Sequence, residues 1–373
     1  MNQMNTQRLL QTFSALVAVD SPSFGERAMA DCLRDRLSAL GIDCTEDDAG
    51  AVLGGNAGNL FARVPGSLDQ PALLFCVHMD TVEPARGKRA VVHEDGRITS
   101  AGDTVLGADD LAGVAAILEV LETLRERKIP HRPLELLFTV AEEPYCAGVR
   151  HFDFTQCAAK TGFVLDLTGP VGTAAVAAPT ILSFTVEITG RAAHAGFAPE
   201  TGVHAIAVAA AGLMRLKQGR LEAGTTLNVG RISGGTAANI VPACCTLSGE
   251  IRSMRHARAL ELYDTLRTVF REEAARVGAS VRTVCDIPLH AYRACETGDA
   301  VRRFTRACTA AELPVRFVET FGGSDNAALQ QHGIDGLVLA NAMFCCHSTN
   351  EYTTAEDLQK TAALLYALIV DRI

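Results

Sequence analysis

The stretch LLFCVHMD, residues 73–80, decides the fold: five apolar residues run into His78 and, two positions later, Asp80. A short continuous apolar run predicts a strand buried on both faces, as in a parallel sheet covered by helices. Open α/β sheets bind ligands outside the carboxyl ends of their strands, where these two side chains lie. Residues i and i+2 of a strand point to one side, so both can face a single site. Alone, the pattern also fits a histidine that is hydrogen-bonded inside the core.

Four further segments place acids or a histidine at similar positions. They are LGADDLAGV at 106–114, LLFTVAEE at 136–143, FVLDLTGP at 163–170 and CCHSTNEY at 345–352. Each has an ordinary explanation: Asp109 or Asp110 can cap a helix, and the others can lie in solvated loops or strand ends. Five such features at corresponding positions of one sheet are improbable as independent coincidences. They predict one common site.

The adjacent acids Glu142 and Glu143 indicate the chemistry of that site. Two neighbouring carboxylates after a buried strand repel each other, and a metal ion would remove the repulsion. One glutamate could then bind the ion while the other acts as general base. Two histidines and several carboxylates suit zinc or a similar divalent ion. A pair of metals about 3.5–4 Å apart, bridged by a carboxylate, would use all of them.

The order of predicted elements gives the architecture. Up to Gly169–Pro170, helical patterns alternate with apolar strands, which predicts a mostly parallel sheet with helices on both faces. Residues 180–287 then show strands of period two and two helices, which predicts a smaller α+β unit, and from about residue 298 the first pattern returns. We therefore expect an α/β domain formed by residues 1–178 and 290–373, interrupted by an inserted α+β domain at 179–289.

The composition argues against several classes of function. The 373 residues include 34 Lys and Arg against 43 Asp and Glu, a net charge of −9 that disfavours nucleic acid and anionic lipid as partners. The first residues show no secretory signal, and the apolar stretch 362–370 is too short to span a membrane, so we expect a soluble, cytoplasmic protein. The twelve cysteines form no C-x-x-C pair and are predicted to be reduced thiols. No nucleotide-binding glycine motif or nucleophile elbow occurs.

In this order the segments resemble the dinuclear zinc exopeptidases and deacylases, and among them the peptidase T branch of tripeptide aminopeptidases. The resemblance runs from His78 to the C-terminal helix and includes the inserted lid or dimerisation domain. The motifs that carry it are GADD at 107–110, VLDLTGPVG at 164–172, GRAAHAG at 190–196, NIVP at 239–242 and GGSDN at 322–326. It implies a homodimeric metallo-exopeptidase that cleaves an amide bond near the end of short peptides.

The resemblance also implies a role for each matching residue. The metal ligands of two divalent ions, most simply zinc, would be His78 and Asp166 for one ion, Glu143 and His347 for the other, and Asp109 as the bridge. The catalytic residues would be Glu142 as general base, Asp80 orienting the first histidine, and His194 stabilising the oxyanion, often from the partner subunit. The substrate-binding residues would be Asn239, Arg252, Gly322, Gly323 and Ser324.

Some positions depart from the family pattern. Many members have lysine two residues after the bridging aspartate, where this chain has Leu111, and Glu143 is followed by Pro144, Tyr145 and Cys146. Neither change removes a ligand, but both bear on substrate preference. An N-acyl amino acid deacylase or a carboxypeptidase would use the same metal chemistry and stays an alternative. A non-catalytic metal- or peptide-binding protein is disfavoured because every expected ligand and the general base are present.

Overall fold

The structure, a computed structural model, describes residues 4–371, and internal contacts divide the chain into two units. The first unit covers the described residues of Met1–Ala177, Arg293–Thr320 and Ser324–Ile373. The second comprises Ala178–Tyr292 and Phe321–Gly323. The glycine-rich motif is therefore split, because its two glycines belong to the second unit and Ser324 to the first.

The secondary structure of residues 4–371 is as follows. The helices are α1 (Thr6–Val17), α2 (Arg27–Ala39), α3 (Ala49–Leu53), α4 (Ala108–Glu126), α5 (Ala205–Arg215), α6 (His256–Val277), α7 (Asp299–Ala310), α8 (Asn326–Gln331) and α9 (Ala355–Val370). The strands are β1 (Cys44–Glu46), β2 (Leu60–Val64), β3 (Leu73–His78), β4 (Ala90–Val92), β5 (Arg97–Ser100), β6 (Leu134–Thr139), β7 (Thr161–Thr168), β8 (Thr173–Ala178), β9 (Thr180–Thr189), β10 (Gly219–Glu222), β11 (Thr225–Gly234), β12 (Cys244–Ser253), β13 (Ser280–Leu289), β14 (Tyr292–Arg293), β15 (Arg316–Glu319), β16 (Asp335–Met343) and β17 (Tyr352–Thr354). Among these helices, none has both the length and the apolar character needed to span a bilayer.

The first unit is built on a large mixed sheet with the strand order β1-β2-β6-β3-β7-β16-β8-β14 and β15 beside β8. Its central strands β6, β3, β7 and β16 are parallel. Antiparallel pairs occur toward the edges, between β2 and its neighbours and between β16 and β8. Every residue of β3 and β6 is buried, as expected for strands covered on both faces. The predicted mostly parallel sheet is confirmed.

Two close approaches show that helices cover both faces of this sheet. A Cβ added to Gly113 of α4 would lie 2.9 Å from Leu165 Cβ, and one added to Gly162 of β7 would lie 2.8 Å from Leu329 Cδ2 of α8. Gly162 and Leu165 are three positions apart on one strand and therefore point to opposite faces. Consequently α4 and α8 lie on opposite sides of the sheet, as predicted.

The strand order brings the candidate segments to one edge of the sheet. The four parallel strands lie side by side, and their carboxyl ends are His78, Thr139, Thr168 and Met343. Asp80, Glu142, Glu143 and His347 lie in the segments that follow β3, β6 and β16, whereas Asp166 lies near the end of β7 itself and Asp109 at the start of α4.

The second unit has the predicted α+β character. Its five-stranded sheet has the order β10-β11-β12-β9-β13, with antiparallel pairs throughout. Alternate residues of β9 from Leu182 to Ile188 are buried with residues of α5 and α6, whereas those between them are partly exposed. Gly212 lets the two helices pack closely, since a Cβ there would lie 2.4 Å from Phe270 Cε1. One sheet face is thus covered by helices.

Candidate metal centre

Asp109 lies between the two predicted histidine ligands. Two residues before it, Gly107 caps α4 in the left-handed conformation (φ 76°). Both Asp109 and Asp110 depart from helical φ/ψ angles. Its Oδ1 is 3.0 Å from His78 Nε2 and its Oδ2 is 3.2 Å from His347 Nε2. One carboxylate therefore contacts both imidazoles, one through each oxygen.

The five predicted ligands form two groups that share Asp109. One ligand atom each from His78, Asp109 and Asp166 lies within 4.8 Å of the others, and the same holds for Asp109, Glu143 and His347. Within the second group, His347 Nε2 is 3.0 Å from Glu143 Oε2. This sharing is what a carboxylate between two cations requires.

The chemistry of these residues fits two divalent cations. The Oε1 of Glu143 is buried and has no hydrogen-bond partner among residues 4–371, so it is available as a ligand atom. Burial raises the pKa of Glu143 and of Asp166, and the neighbouring carboxylate of Asp109 raises both further. For Asp109 itself, hydrogen bonds from His347 and His78 outweigh burial and hold the pKa well below its usual range. Nitrogen and oxygen donors among repelling acids favour a nearby cation.

Asp80 contributes to the centre through two different groups. Its backbone oxygen is 2.9 Å from His78 Nδ1, whereas its carboxylate Oδ1 is 3.5 Å from the same nitrogen. A proton on Nδ1 leaves Nε2 of His78 free to bind a metal ion. The carboxylate accepts the amide N–H groups of Glu142 at 3.0 Å and Glu143 at 3.2 Å, and the hydroxyl of Ser23 at 2.7 Å. The residue thus holds both a histidine and the pair of adjacent acids.

Glu142 is buried beside the ligands. Burial, and next the charge of Asp166, raise its pKa well above the usual value for glutamate. Its Oε1 accepts a hydrogen bond from the Cys146 thiol, with Sγ at 3.0 Å. Asp325 belongs to the same buried group; its side chain makes no capping hydrogen bond to α8, and its Oδ2 accepts the Thr139 hydroxyl at 2.6 Å.

Two further acids hold the backbone of the centre: Glu351, which the sequence analysis did not single out, and Asp110, which it considered only as a helix cap. Glu351 accepts the amide groups at the start of α4, and burial raises its pKa to about 7. Asp110 accepts the His78 amide at 3.1 Å and the side-chain amide of Asn341. Contacts between a side chain and a distant backbone amide produce no periodic pattern in the sequence. The available signals were the position of Glu351, four residues after His347, and that of Asp110, directly after Asp109.

His194 and Asn239, both exposed, come together in the second unit. The backbone oxygen of Asn239 accepts the Ala195 amide at 3.0 Å. The Nδ1 of His194 lies 3.1 Å from the Gly196 amide nitrogen and 3.2 Å from that of Phe197. Because Nδ1 accepts, the neutral ring carries its proton on Nε2, which can donate outward.

Arg252 makes several contacts of its own within the second unit. Its Nε and Nη2 bind the two carboxylate oxygens of Glu250 at 2.7 and 3.1 Å, and its Nη1 donates to the Phe321 oxygen at 2.7 Å. The guanidinium therefore holds the chain directly before the glycine pair 322–323. In the first unit, the buried Oγ of Ser324 has no hydrogen-bond partner among the residues described.

Comparison with known proteins places this geometry in context. Residues 59–204 match peptidase family M28, and residues 176–278 match the peptidase dimerisation domain. The crystal structure of aminopeptidase PepT from Bacillus cereus is 35% identical over 99% of both chains, with a TM-score of 0.90. A tripeptidase structure from Staphylococcus aureus is 33% identical over 99% of this chain and 98% of the other, with a TM-score of 0.93. The uncharacterized protein YqjE of Bacillus subtilis is 34% identical over 98% of both chains.

Proposed function

This chain belongs to the peptidase T branch of the dinuclear metallopeptidases, and from that premise we propose that it removes the N-terminal residue of short peptides, above all tripeptides. The observation that carries the proposal is the pair of ligand groups sharing Asp109. It occurs in a chain similar over 99% of its length to an aminopeptidase and a tripeptidase.

Zinc is the proposed metal because imidazole and carboxylate groups make up the donor set. His78 and Asp166 would hold one ion and Glu143 and His347 the other, with Asp109 between them. Bound there, the ions would polarise the substrate carbonyl and lower the pKa of a water molecule toward about 7.

Glu142 is the proposed general base. Its carboxylate would take a proton from the attacking water and pass it to the amine nitrogen that leaves. Its raised pKa makes it a stronger proton acceptor than an ordinary glutamate, and the Cys146 thiol holds one of its oxygens. Asp80 would keep both Glu142 and His78 in position through the contacts described above.

His194 is the proposed donor to the oxyanion. Its Nε2 proton would stabilise the negative charge that develops on the substrate oxygen, and Asn239 would bind the substrate beside it. The match of residues 176–278 to a dimerisation domain supports a homodimer in which His194 serves the partner's site. Arg252 would contribute to substrate binding together with the Gly322–Ser324 segment. That segment directly follows Phe321, whose backbone oxygen Arg252 binds.

A substrate panel tests the proposal. Purified, metal-loaded protein is incubated with tripeptides, N-acetylated tripeptides and N-acyl amino acids, and products are identified by mass spectrometry. We expect release of the first residue from tripeptides with a free amine, since the acid-rich centre suits a cationic group. Cleavage of the N-acyl amino acids alone would assign a deacylase instead, and removal of the last residue would assign a carboxypeptidase.

A variant pair tests the general base. Glu142→Gln should lower kcat by about 10²–10⁴-fold, the usual contribution of a positioned acid or base. Metal content, measured by elemental analysis, should stay at the wild-type level. Glu94→Gln, in the exposed turn between β4 and β5, is the control and should leave kcat unchanged. Wild-type turnover in the Glu142 variant would exclude this residue as the base.

A further inference from the structure

The backbone of residues 140–143, which carries Glu142 and Glu143, is held by side chains from elsewhere in the first unit. Four successive amide groups donate to side-chain oxygens. The pairs are Val140 N with Asn59 Oδ1 at 3.0 Å, Ala141 N with Glu26 Oε1 at 2.9 Å, Glu142 N with Asp80 Oδ1 at 3.0 Å and Glu143 N with Asp80 Oδ2 at 3.2 Å. These contacts set the direction in which the two acids leave the sheet.

Ala141 is the sharpest point of this turn. Its φ of 48° lies in the left-handed region, which alanine occupies only when its surroundings hold it there. The amide of Ala141 donates a hydrogen bond to the Glu26 carboxylate. The Val140–Ala141 peptide, which leads into Glu142, is therefore held by a residue more than a hundred positions earlier in the chain.

The surroundings of Glu26 are unfavourable for a carboxylate. Its exposure is 0%, and it sits at the N-cap of α2 without a capping hydrogen bond from its side chain. Oε1 accepts the amides of Phe24 and Ala141, whereas Oε2 has no partner within residues 4–371. Burial, and then the charge of Asp80, raise its pKa to about 7. A buried acid beside another acid is destabilising, so a role that offsets this is expected.

We propose that Glu26 is a positioning residue of the hydrolytic site, which fixes the direction of Glu142 by holding the Ala141 amide. The inference rests on the function proposed above. It adds to the site the segment SPSFGE, residues 21–26, in which Ser23 also donates to Asp80. This segment lies outside the five strand ends and helix starts that carry the other residues.

The effect of Glu26 passes through the backbone. Without this acceptor, the backbone of Ala141 can leave the left-handed region. The backbone of Glu142 would then turn, and its carboxylate would move with it. A misplacement of about 1 Å in a catalytic group can lower the rate by about 10²-fold. Asp80 still holds the amides of Glu142 and Glu143, so metal binding is retained. The loss should therefore appear in kcat rather than in KM or metal content.

Two substitutions at Glu26 separate its hydrogen bond from its volume. Glu26→Ala should lower kcat for a tripeptide by about 10–10²-fold, with KM within about threefold of wild type and full metal content. Glu26→Gln keeps an oxygen that can accept the Ala141 amide and should stay within about threefold of wild type in kcat. Equal kcat for wild type and Glu26→Ala, or metal loss in parallel with activity, would overturn the inference.

Glu135 offers a matched control in the same unit. This glutamate is also buried and accepts two amide groups, those of Ala158 at 2.8 Å and Ala159 at 3.0 Å. It lies near the amino end of β6, away from the metal centre, which follows the carboxyl end. Glu135→Ala should lower the melting temperature and leave kcat per folded molecule unchanged. An equal loss of kcat there would mean that Glu26 acts only through general stability.

A readout that needs no activity keeps this inference separate from the proposed function. In metal-free protein, hydrogen–deuterium exchange of a peptide spanning 139–146 should be faster in Glu26→Ala than in wild type, and unchanged in Glu26→Gln. An unchanged exchange rate in the alanine variant would refute the inference that Glu26 fixes the backbone of this turn. If wild type cleaves none of the substrates, the proposed function fails, while the exchange result still decides the role of Glu26.

Discussion

Glu351 holds Asp109 by its backbone: its Oε1 lies 3.0 Å from the Asp109 amide nitrogen, and its Oε2 lies 2.7 Å from that of Gly107. Both amides are at the start of α4, where the unpaired N–H groups and the helix dipole favour a negative charge. Glu351 follows His347 by four residues, so the loop that brings His347 to Asp109 also caps the helix carrying Asp109. The two halves of the site are coupled through this carboxylate.

The first prediction concerns Glu351. Because residues that orient metal ligands typically affect metal affinity by about 10–100-fold, Glu351→Ala should weaken zinc binding by that factor. Glu351→Gln keeps one acceptor oxygen and should fall between the alanine variant and wild type. Competition with a chromophoric chelator measures the affinity.

Asp357→Asn is the control for this experiment. Asp357 lies six residues later and accepts the Thr354 hydroxyl at the start of α9. Its substitution should lower stability slightly and leave zinc affinity unchanged. Wild-type affinity in Glu351→Ala would show that Asp109 keeps its position without the cap.

The second prediction concerns thermal stability. The buried acids of the centre repel one another, so cations that bind the folded state should stabilise it. At a metal concentration about 100 times the dissociation constant, one site adds about 2.7 kcal/mol. Differential scanning fluorimetry should therefore show a higher melting temperature with zinc or manganese and a lower one with a chelator. A melting temperature that is insensitive to both would contradict the cation sites.

The third prediction concerns the thiol beside Glu142, the proposed general base. Burial, and next the charge of Glu142, raise the pKa of Cys146, so its S–H remains a donor to Glu142 at neutral pH. Cys146→Ala removes this donor and should lower kcat for a tripeptide about threefold to tenfold, since a typical hydrogen bond contributes about 0.5–1.5 kcal/mol. Cys146→Ser restores a hydroxyl donor and should recover much of the rate.

Cys157→Ala is the corresponding control, because this buried thiol directly follows the 3₁₀ turn Phe154–Gln156, outside the metal centre. It should leave kcat unchanged. A Cys146→Ala enzyme as fast as wild type would show that Glu142 is held without the thiol.

The fourth prediction concerns the pH dependence of stability. Lys88 is 1% exposed, and its Nζ donates to the Val19 oxygen at 2.6 Å. Burial lowers its pKa from 10.5 to about 8, although Asp20, Glu351 and Glu83 act in the opposite direction. Between about pH 8 and 10.5 the unfolded chain binds more protons at this residue than the folded protein. Its contribution to stability therefore rises with pH across that window and is lost as the pH falls through 8.

Lys88→Met tests this sign. From pH 7.5 to pH 10, the unfolding free energy of wild type should rise by about 2 kcal/mol relative to that of the variant. Urea denaturation at both pH values measures it. The lost hydrogen bond to Val19 adds the same offset at each pH. An identical difference at pH 7.5 and pH 10 would show that Lys88 ionises normally.

Much of the fold follows from local pattern. The alternating stretch TILSFTVEIT at 180–189 predicts a strand and forms β9, and the long charged stretch at about 256–277 predicts a helix and forms α6. The strand β8, with the sequence TAAVAA, was not predicted, because alanine has low strand propensity and a run of small residues carries no period. Its neighbours β16 and β15 determine its conformation.

In the candidate site, too, some residues could be predicted from local pattern and others could not. His78, Asp109 and His347 were identified because their side chains follow recognisable apolar strands or open a helix. Glu26 and Glu351 were not, since they act by accepting backbone N–H groups of distant segments. Such contacts impose no spacing on the residues near them in the chain.

The sequence by itself determined which side chains stand at strand ends and helix starts, because burial period and apolar runs are properties of neighbouring residues. Only the tertiary structure decided that His78 and His347 contact opposite oxygens of Asp109, and which buried acids hold their backbone. The physical reason is that strand order and hydrogen bonds between remote segments depend on how the whole first unit packs, and no local pattern encodes that packing.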